Sequence, residues 1–442
     1  MRTVYNILFT VLFWLSTPYY FLKMWRRGGW RPGFRQRFGR FSAKVKQAVT
    51  NRHVIWIHAV SVGEAGVCTQ LIRALEPRVP NLKIVVSTTT STGMAELHRR
   101  LPPHIEKIYY PIDRRKYVAR ALAAVHPKVI VLVEGEVWPN FLWQARRRGV
   151  PVFLVNARFS PRSYRGYRCC GFLFRRFFRQ FAGVGAQHEA DAVKLRELGC
   201  RPEIVRVVGS MKFDAARLEP QRLLDVPAML QQLGWPPGAR LLVGGSTHAG
   251  EEALLAEVFL RLRQEHPDLR LVLVPRHFER SKEAGRDLTA HGLRVVFRST
   301  ITPASSHPAG TVGCLLVNTT GELKYFYEQA TVIFVGKSLT AHGGQNPIEP
   351  GSLGKAMVFG PNMENFLAIA AAFVQGNGAV QVQNAAELGG ALSRLLKDEK
   401  LREELGRNAL KVVHENQGAV ERTVEMIVGN LKDEDLYVSP PP

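Results

Sequence analysis

Val54-Ile-Trp-Ile57, followed by His58-Ala-Val-Ser-Val-Gly-Glu64-Ala-Gly66, decides the fold. The first run is short, apolar and rich in β-branched residues, the pattern of a parallel strand buried on both faces. Residues 67–75 then place apolar side chains at helical spacing. A strand that turns straight into a helix opens a βαβ unit, and open α/β sheets bind ligands at the carboxyl ends of their strands. Glu64 falls at such an end. Gly63 and Gly66 would let the backbone turn tightly and admit a ligand close to it. A blander reading stands beside this one, in which Glu64 only complements the dipole of a helix N-terminus.

Outward from this stretch the pattern repeats. Strand-like runs at 84–86, 129–133, 152–155, 183–186 and 204–207 alternate with helical segments, which predicts a doubly wound parallel sheet. The loops at their ends hold Ser87-Thr-Thr-Thr-Ser-Thr-Gly93, Glu134-Gly-Glu136 and Asn156-Ala-Arg158. The hydroxyl run equally suits helix capping. A polar, proline-containing segment at 209–238 reads as a linker with a short helix. The second half begins again with a strand, Arg240-Leu-Leu-Val243, then Gly244-Gly-Ser-Thr-His248-Ala-Gly-Glu-Glu252. Further strands fall at 271–274 (ending in Pro275-Arg276-His277), 314–317, 331–335 (leading to Gly336-Lys-Ser338) and 356–359. The chain therefore reads as α/β: residues 1–22 a membrane anchor, 23–208 and 239–432 two Rossmann-like domains, and 433–442 a tail.

Composition bounds the function. A chain of 442 residues suffices for two or three domains, and a net charge of +23 attracts phosphates on nucleic acid, lipid or substrate. No helix-turn-helix, RNP or zinc-finger pattern accompanies that charge, so no nucleic-acid partner is expected. GxGxxG and GxxxxGK[ST] are both absent after the strands, which argues against a dinucleotide cofactor and a P-loop. Five cysteines without metal-ligand spacing read as reduced thiols, and no metal ion is expected.

Residues 3–22 carry no charge and approach the ~20 residues of a membrane-spanning helix. Pro18 and Tyr19-Tyr20 equally suit a helix lying in the interface. Lys23, Arg26, Arg27, Arg31, Arg35, Arg37 and Arg40 follow, which puts the remainder on the cytoplasmic side and offers cations to anionic head groups. Within 164–181, Phe174, Phe177, Phe178 and Phe181 mark one helix face, flanked by Arg175, Arg176 and Arg179. That is a core-facing helix with a basic side, or an interfacial one.

His342-Gly-Gly-Gln-Asn346-Pro347-Ile-Glu349-Pro350 is the second informative stretch. Asn346, Pro347 and Glu349 suit the cap, first position and capping-box position of a helix. Gly343 and Gly344 ahead of it would leave backbone N–H groups for a phosphate, and a carboxylate just inside could take ribose hydroxyls. Nucleotide binding is favoured over capping alone. Ser246, Thr247 and His248 offer further donors, and Arg276 with His277 ends a strand.

In this order the motifs resemble those of the 3-deoxy-D-manno-octulosonic acid (Kdo) transferases, which are GT-B glycosyltransferases. The resemblance rests on Trp56-Ile-His-Ala-Val-Ser-Val-Gly-Glu64, Glu136-Val-Trp-Pro-Asn140, Asn156-Ala-Arg158, Gly209-Ser-Met-Lys-Phe-Asp214, Ser246-Thr-His-Ala-Gly-Glu-Glu252, Val274-Pro-Arg-His277, Gly321-Glu-Leu323 and His342-Gly-Gly-Gln-Asn-Pro-Ile-Glu349. It implies a GT-B fold with an interdomain cleft and an inner-membrane enzyme whose catalytic domains are cytoplasmic. The donor would be CMP-Kdo and the acceptor a lipid A precursor. It implies Glu64 as the base that takes the acceptor proton, with inversion as CMP leaves. Ser246, Thr247, His248, Arg276, His277, Ser338, Gly343, Gly344, Asn346 and Glu349 would line the donor site, Glu349 on the ribose. Ser61, Gly63, Glu136, Arg158 and Lys212 would belong to the acceptor side. Gln345, Lys337, Asn318, Met211 and Gly135 depart from the family's usual residues. Another nucleotide-sugar donor on the same fold, or a silent glycolipid-binding protein, would be the rival readings.

Overall fold

A computed structural model describes residues 2–27, 31–60, 62–169, 171–214 and 224–431. The chain forms two compact units, the first built from Met1–Ala215 with Gln417–Pro442, the second from Ala216–Asn416.

In the first unit, seven strands run β1 (His53–His58), β2 (Leu82–Thr88), β3 (Glu106–Tyr109), β4 (Pro127–Val133), β5 (Val152–Ala157), β6 (Gly183–Ala186) and β7 (Val205–Val207). They form one parallel sheet in the order β3-β2-β1-β4-β5-β6-β7. The alternation of side chains along β1 shows why both faces must be apolar. Val54 and Trp56 join a core with Leu122 and Phe141, while Ile55 and Ile57 join another with Leu71 and Val424.

The second unit repeats the plan with β8 (Leu241–Thr247), β9 (Arg270–Pro275), β10 (Val295–Phe297), β11 (Cys314–Leu316), β12 (Val332–Val335), β13 (Met357–Phe359) and β14 (Val380–Gln381). Its parallel sheet has the order β10-β11-β9-β8-β12-β13-β14.

The boundaries drawn from sequence change at both ends. The first unit continues through the Gly209–Asp214 motif, and the last helix, Ala419–Val428, belongs to it rather than to the second unit. Asp214 explains the return: its carboxylate accepts the N–H groups of Gly418 (2.7 Å) and Val420 (2.9 Å) at that helix's N-terminus, where negative charge is stabilised. Val424 and Ile427 are then fully buried against the sheet, each contributing roughly 1.5–3 kcal/mol. The segment read as a linker contains the short helix Val226–Gln232. Residues 215–223 of it, and the tail, lie outside the described residues.

Arg2–Arg27 forms one helix. Among the described residues no helix is long and apolar enough to cross a membrane, so the spanning reading of 3–22 does not hold. Thr3, Asn6, Thr10, Ser16 and Thr17 dilute the apolar run. Its first turns dock on the first unit instead. Tyr5 donates to Asp113 (2.8 Å), Asn140 donates to Asn6 (2.9 Å), and Arg2 lies over the Trp143 ring. Val4, Ile7, Leu8, Val11, Leu12 and Leu15 stay exposed, a continuous stripe at helical spacing.

Candidate active site

In the first unit the carboxyl ends of β1, β4 and β5 and the 208–214 turn bring four charged side chains together. Glu134 directly follows β4 in a left-handed conformation (φ 63°), which is strained for a non-glycine residue. Its carboxylate pairs with Arg158 (3.5 Å) and Lys212 (3.4 Å). Asn156, also left-handed (φ 52°), accepts the Met211 N–H through Oδ1 and so fixes the turn that carries Lys212. Burial lowers the Lys212 pKa; the charges of Glu134 and then Glu64 oppose that. Lys212 thus stands within electrostatic reach of both carboxylates.

Glu64 lies in the first turn of the helix Val62–Leu75. Its Oε2 accepts the Val60 N–H (2.7 Å), two residues ahead of the helix, so the carboxylate is tied to the turn that follows β1. The Val60 carbonyl is braced in turn by the hydroxyls of Thr88 (3.0 Å) and Thr90 (3.2 Å). The hydroxyl run is therefore scaffold: Ser87 binds Trp56 and His58, and Thr90 caps Ser91–Arg100. Gly63 and Gly66 are not turn residues. The helix starts earlier than its apolar spacing predicts, and both lie within it. Glu136 accepts from Trp138 Nε1 (2.7 Å); burial, then Glu134, raises its pKa against that bond. Ser61 lies outside the described residues.

His58, at the end of β1, is fully buried and stacked on Tyr110 at 3.8 Å. Burial depresses its pKa to about 3, so the ring is neutral and packs rather than titrates.

The second unit solves the same strand-end problem differently. Glu251, fully buried, accepts four main-chain N–H groups: His248 (2.9 Å), Lys337 (2.7 Å), Ser338 (2.9 Å) and Leu339 (3.1 Å). One carboxylate thereby ties the loop after β8 to the loop after β12. Ser246, at the register shift near the end of β8, and Lys337, in the loop after β12, are both left-handed (φ 54° and 57°). Glu252, equally buried, accepts from Thr247 (2.9 Å) and Arg280 (3.2 Å). Ser338 bridges Val335 and Gly360. Thr247 and Ser338 are thus engaged inside the unit.

What these buried acids leave at the strand ends is cationic. The half-buried His248 sits beside Lys337, His277 and Arg280, and burial first, then those charges, lowers its pKa. The two histidine rings meet edge to face at 5.6 Å. Arg276 follows β9 exposed, with its N–H on Thr247. Fixed cations and dipoles of this kind stabilise a leaving phosphate. Arg280, Lys337, Glu251 and Glu252 were not predicted as site residues, although the stretches holding all but Arg280 were singled out; a buried acid in the first turn of a helix reads in sequence as an exposed one.

The glycine pair is corrected. Gly343 and Gly344 are left-handed (φ 117° and 67°), but their N–H groups are occupied, by Glu364 (2.6 Å) and by the Lys337 carbonyl (3.0 Å). Glu364, which takes the Gly343 N–H, arrives from 21 residues downstream. Glu364 also takes His342 (2.8 Å). Asn346 caps Ile348 (3.1 Å), and Glu349 lies in the first turn of the short helix Ile348–Ser352, close enough for its charge to raise the buried Tyr327 hydroxyl's pKa further. Among the described residues no group of three or more His, Cys, Asp or Glu is arranged to hold a metal ion.

A family sequence model described as 3-deoxy-D-manno-octulosonic-acid transferase matches residues 32–215. The chain is 30% identical to the 3-deoxy-D-manno-octulosonic acid transferase of Haemophilus influenzae over 398 residues, 90% of this chain and 92% of that one. It is 32% identical to the corresponding protein of Bordetella pertussis over 423 residues, 93% and 96% of the two chains. Among solved structures, the UDP-GlcNAc 2-epimerase of Neisseria meningitidis superposes with a TM-score of 0.59 at 14% identity, covering 85% of this chain and 100% of that one. A glycosyltransferase from Rickettsia africae gives 0.56 at 13%, covering 87% and 100%. These structures show the fold, GT-B, alone.

Proposed function

Since the chain belongs to the family of 3-deoxy-D-manno-octulosonic acid transferases, glycosyltransferases by name, we propose that it moves Kdo from CMP-Kdo to a lipid A precursor. In this reading Glu64 is the general base. It takes the proton of an acceptor hydroxyl as that oxygen bonds to the anomeric carbon; the bond from that carbon to the CMP phosphate breaks, and the configuration inverts. The observation that carries the assignment is the cluster Glu64, Lys212, Glu134 and Arg158 at the strand ends of the first unit. Lys212 and Arg158 suit phosphate groups of the acceptor. The cations around His248, with Arg276, stabilise CMP as it leaves, and Glu349 takes the ribose; no step needs a metal. The exposed stripe from Val4 to Leu15, with the basic residues after it, lies on the cytoplasmic surface of the inner membrane.

The test is transfer from CMP-Kdo to a tetra-acylated disaccharide bisphosphate, wild type beside Glu64→Gln. The glutamine keeps an oxygen for Val60 but cannot accept the proton. Transfer by the wild type and a loss of at least about a hundredfold in the variant, with the melting temperature held, supports the reading. Equal rates would remove Glu64 from the chemistry, and no wild-type transfer would remove the substrates.

A further inference from the structure

The arginines of the 164–181 segment have no part in the reaction above, yet two of them line a cavity of about 850 Å³ in the first unit. It lies where residues 149–152 enter β5, at the amino-terminal edge of the sheet. Glu134, Arg158 and Lys212 stand at the other edge, a strand length away, or ~20 Å at ~3.3 Å per residue. Four guanidiniums converge on the cavity: Arg146 from the helix Pro139–Arg147, Arg176 and Arg179 from the end of Gly171–Phe178, and Arg201 ahead of β7.

Their pairing contrasts with that of three arginines elsewhere in the fold. Arg158, Arg280 and Arg298 each meet a carboxylate within the range of an ion pair. Arg146, Arg176 and Arg179 meet none among the described residues, and Arg201 meets only Glu203, at 3.7 Å. No acidic residue lines the cavity. Four like charges around a concave surface repel one another and focus a positive potential into it. After Glu203 is set against Arg201, three charges are left over. A phosphomonoester brings about −1.5 to −2 at neutral pH, so two neighbouring phosphates match the cavity better than one.

We propose that this four-arginine cavity is a second anion site, separate from the transfer site, that binds two adjacent phosphate groups. Planar guanidiniums engage phosphate oxygens in pairs, which a lysine cluster could not do. The phosphates belong either to a soluble diphosphate or to a phospholipid head group. Trp143, which carries Arg2 of the N-terminal helix on its ring, packs against Phe177 one residue from Arg176, so a lipid surface reached by that helix is also within reach of the cavity.

The experiment uses the full chain with CMP in excess, so that the donor site is filled, at constant ionic strength. Inorganic pyrophosphate is titrated calorimetrically into the wild type, Arg176→Gln/Arg179→Gln, and Arg276→Ala. In parallel, each is sedimented with phosphatidylcholine vesicles with and without cardiolipin, which carries two phosphates. Arg176 and Arg179 are both exposed, so the double variant should keep its melting temperature; Arg146→Gln is the substitute if it does not. A loss of at least tenfold in pyrophosphate affinity, confined to the double variant, assigns a soluble diphosphate. A tenfold loss of cardiolipin-dependent sedimentation with pyrophosphate binding weak throughout assigns a lipid head group. Equal behaviour of wild type and double variant in both arms, or no binding by the wild type in either, overturns the proposal.

Discussion

The two units close their strand ends with acids used in opposite ways. In the second, Glu251 and Glu252 are fully buried and hold backbone, threonine and arginine, and the surface they support is cationic. In the first, Glu64 and Glu134 stand partly open beside Lys212 and Arg158. The first unit has its own buried anchor, Asp113, which accepts the N–H groups of Asn140 and Phe141 (both 2.9 Å) and the Tyr5 hydroxyl. A carboxylate saturated by backbone donors is scaffold, and one left among cations is available for proton transfer. Burial separates the two roles where residue type cannot.

That contrast can be broken. Glu251→Ala strands four main-chain N–H groups, that of Ser338 buried and the others half-buried, at about 1–3 kcal/mol for a buried one; even with partial relaxation the second unit should lose about 3 kcal/mol or more in urea unfolding. A milder loss would mean that water replaces the carboxylate. The Asp113 carboxyl is raised by burial from 3.8 to about 6. A raised carboxyl contributes stability that is complete below the unfolded pKa and is lost as pH rises through the folded one. Stability should therefore fall by on the order of 3 kcal/mol between pH 4 and 6 from this group, and Asp113→Asn should remove that component from the pH profile of unfolding. If the two profiles run parallel, Asp113 is not a coupled anchor.

Smaller effects sharpen the comparison. Glu134→Gln removes the anion that counters the burial of Lys212. Transfer should drop about tenfold, and the alkaline limb of the pH–rate profile should move to lower pH, since the lysine then loses its proton more easily. An unmoved limb would detach Lys212 from the rate. A chelator should change transfer by less than twofold, and a larger loss would bring a metal into the donor site.

The central strands were legible in sequence because each is a continuous apolar run. The strands left unread, β3, β10 and β14, all lie at sheet edges, and β7 is the one edge strand that was read. Glu106-Lys-Ile-Tyr109 is half polar, and Val380-Gln381 is too short to carry a period. The motifs marked both sites, but not which polar groups remained available. The partners that decide this come from far along the chain: Glu364 for Gly343, Glu251 for Ser338, Asp214 for Gly418. Spacing cannot report a bond made across 204 residues. For the same reason Glu64 could be read as cap or base, and the structure ties it to the Val60 N–H ahead of the helix.

The last helix gives the fold an order in time. One face of the first unit's sheet is closed by Ala419–Val428, yet everything between Ala216 and Asn416 is synthesised before it. At 5–20 residues per second that interval lasts roughly 10–40 s. Throughout it the nascent chain holds β6 and the helix Val62–Leu75 with part of their covering missing, so the growing polypeptide should be most dependent on chaperones until that helix emerges.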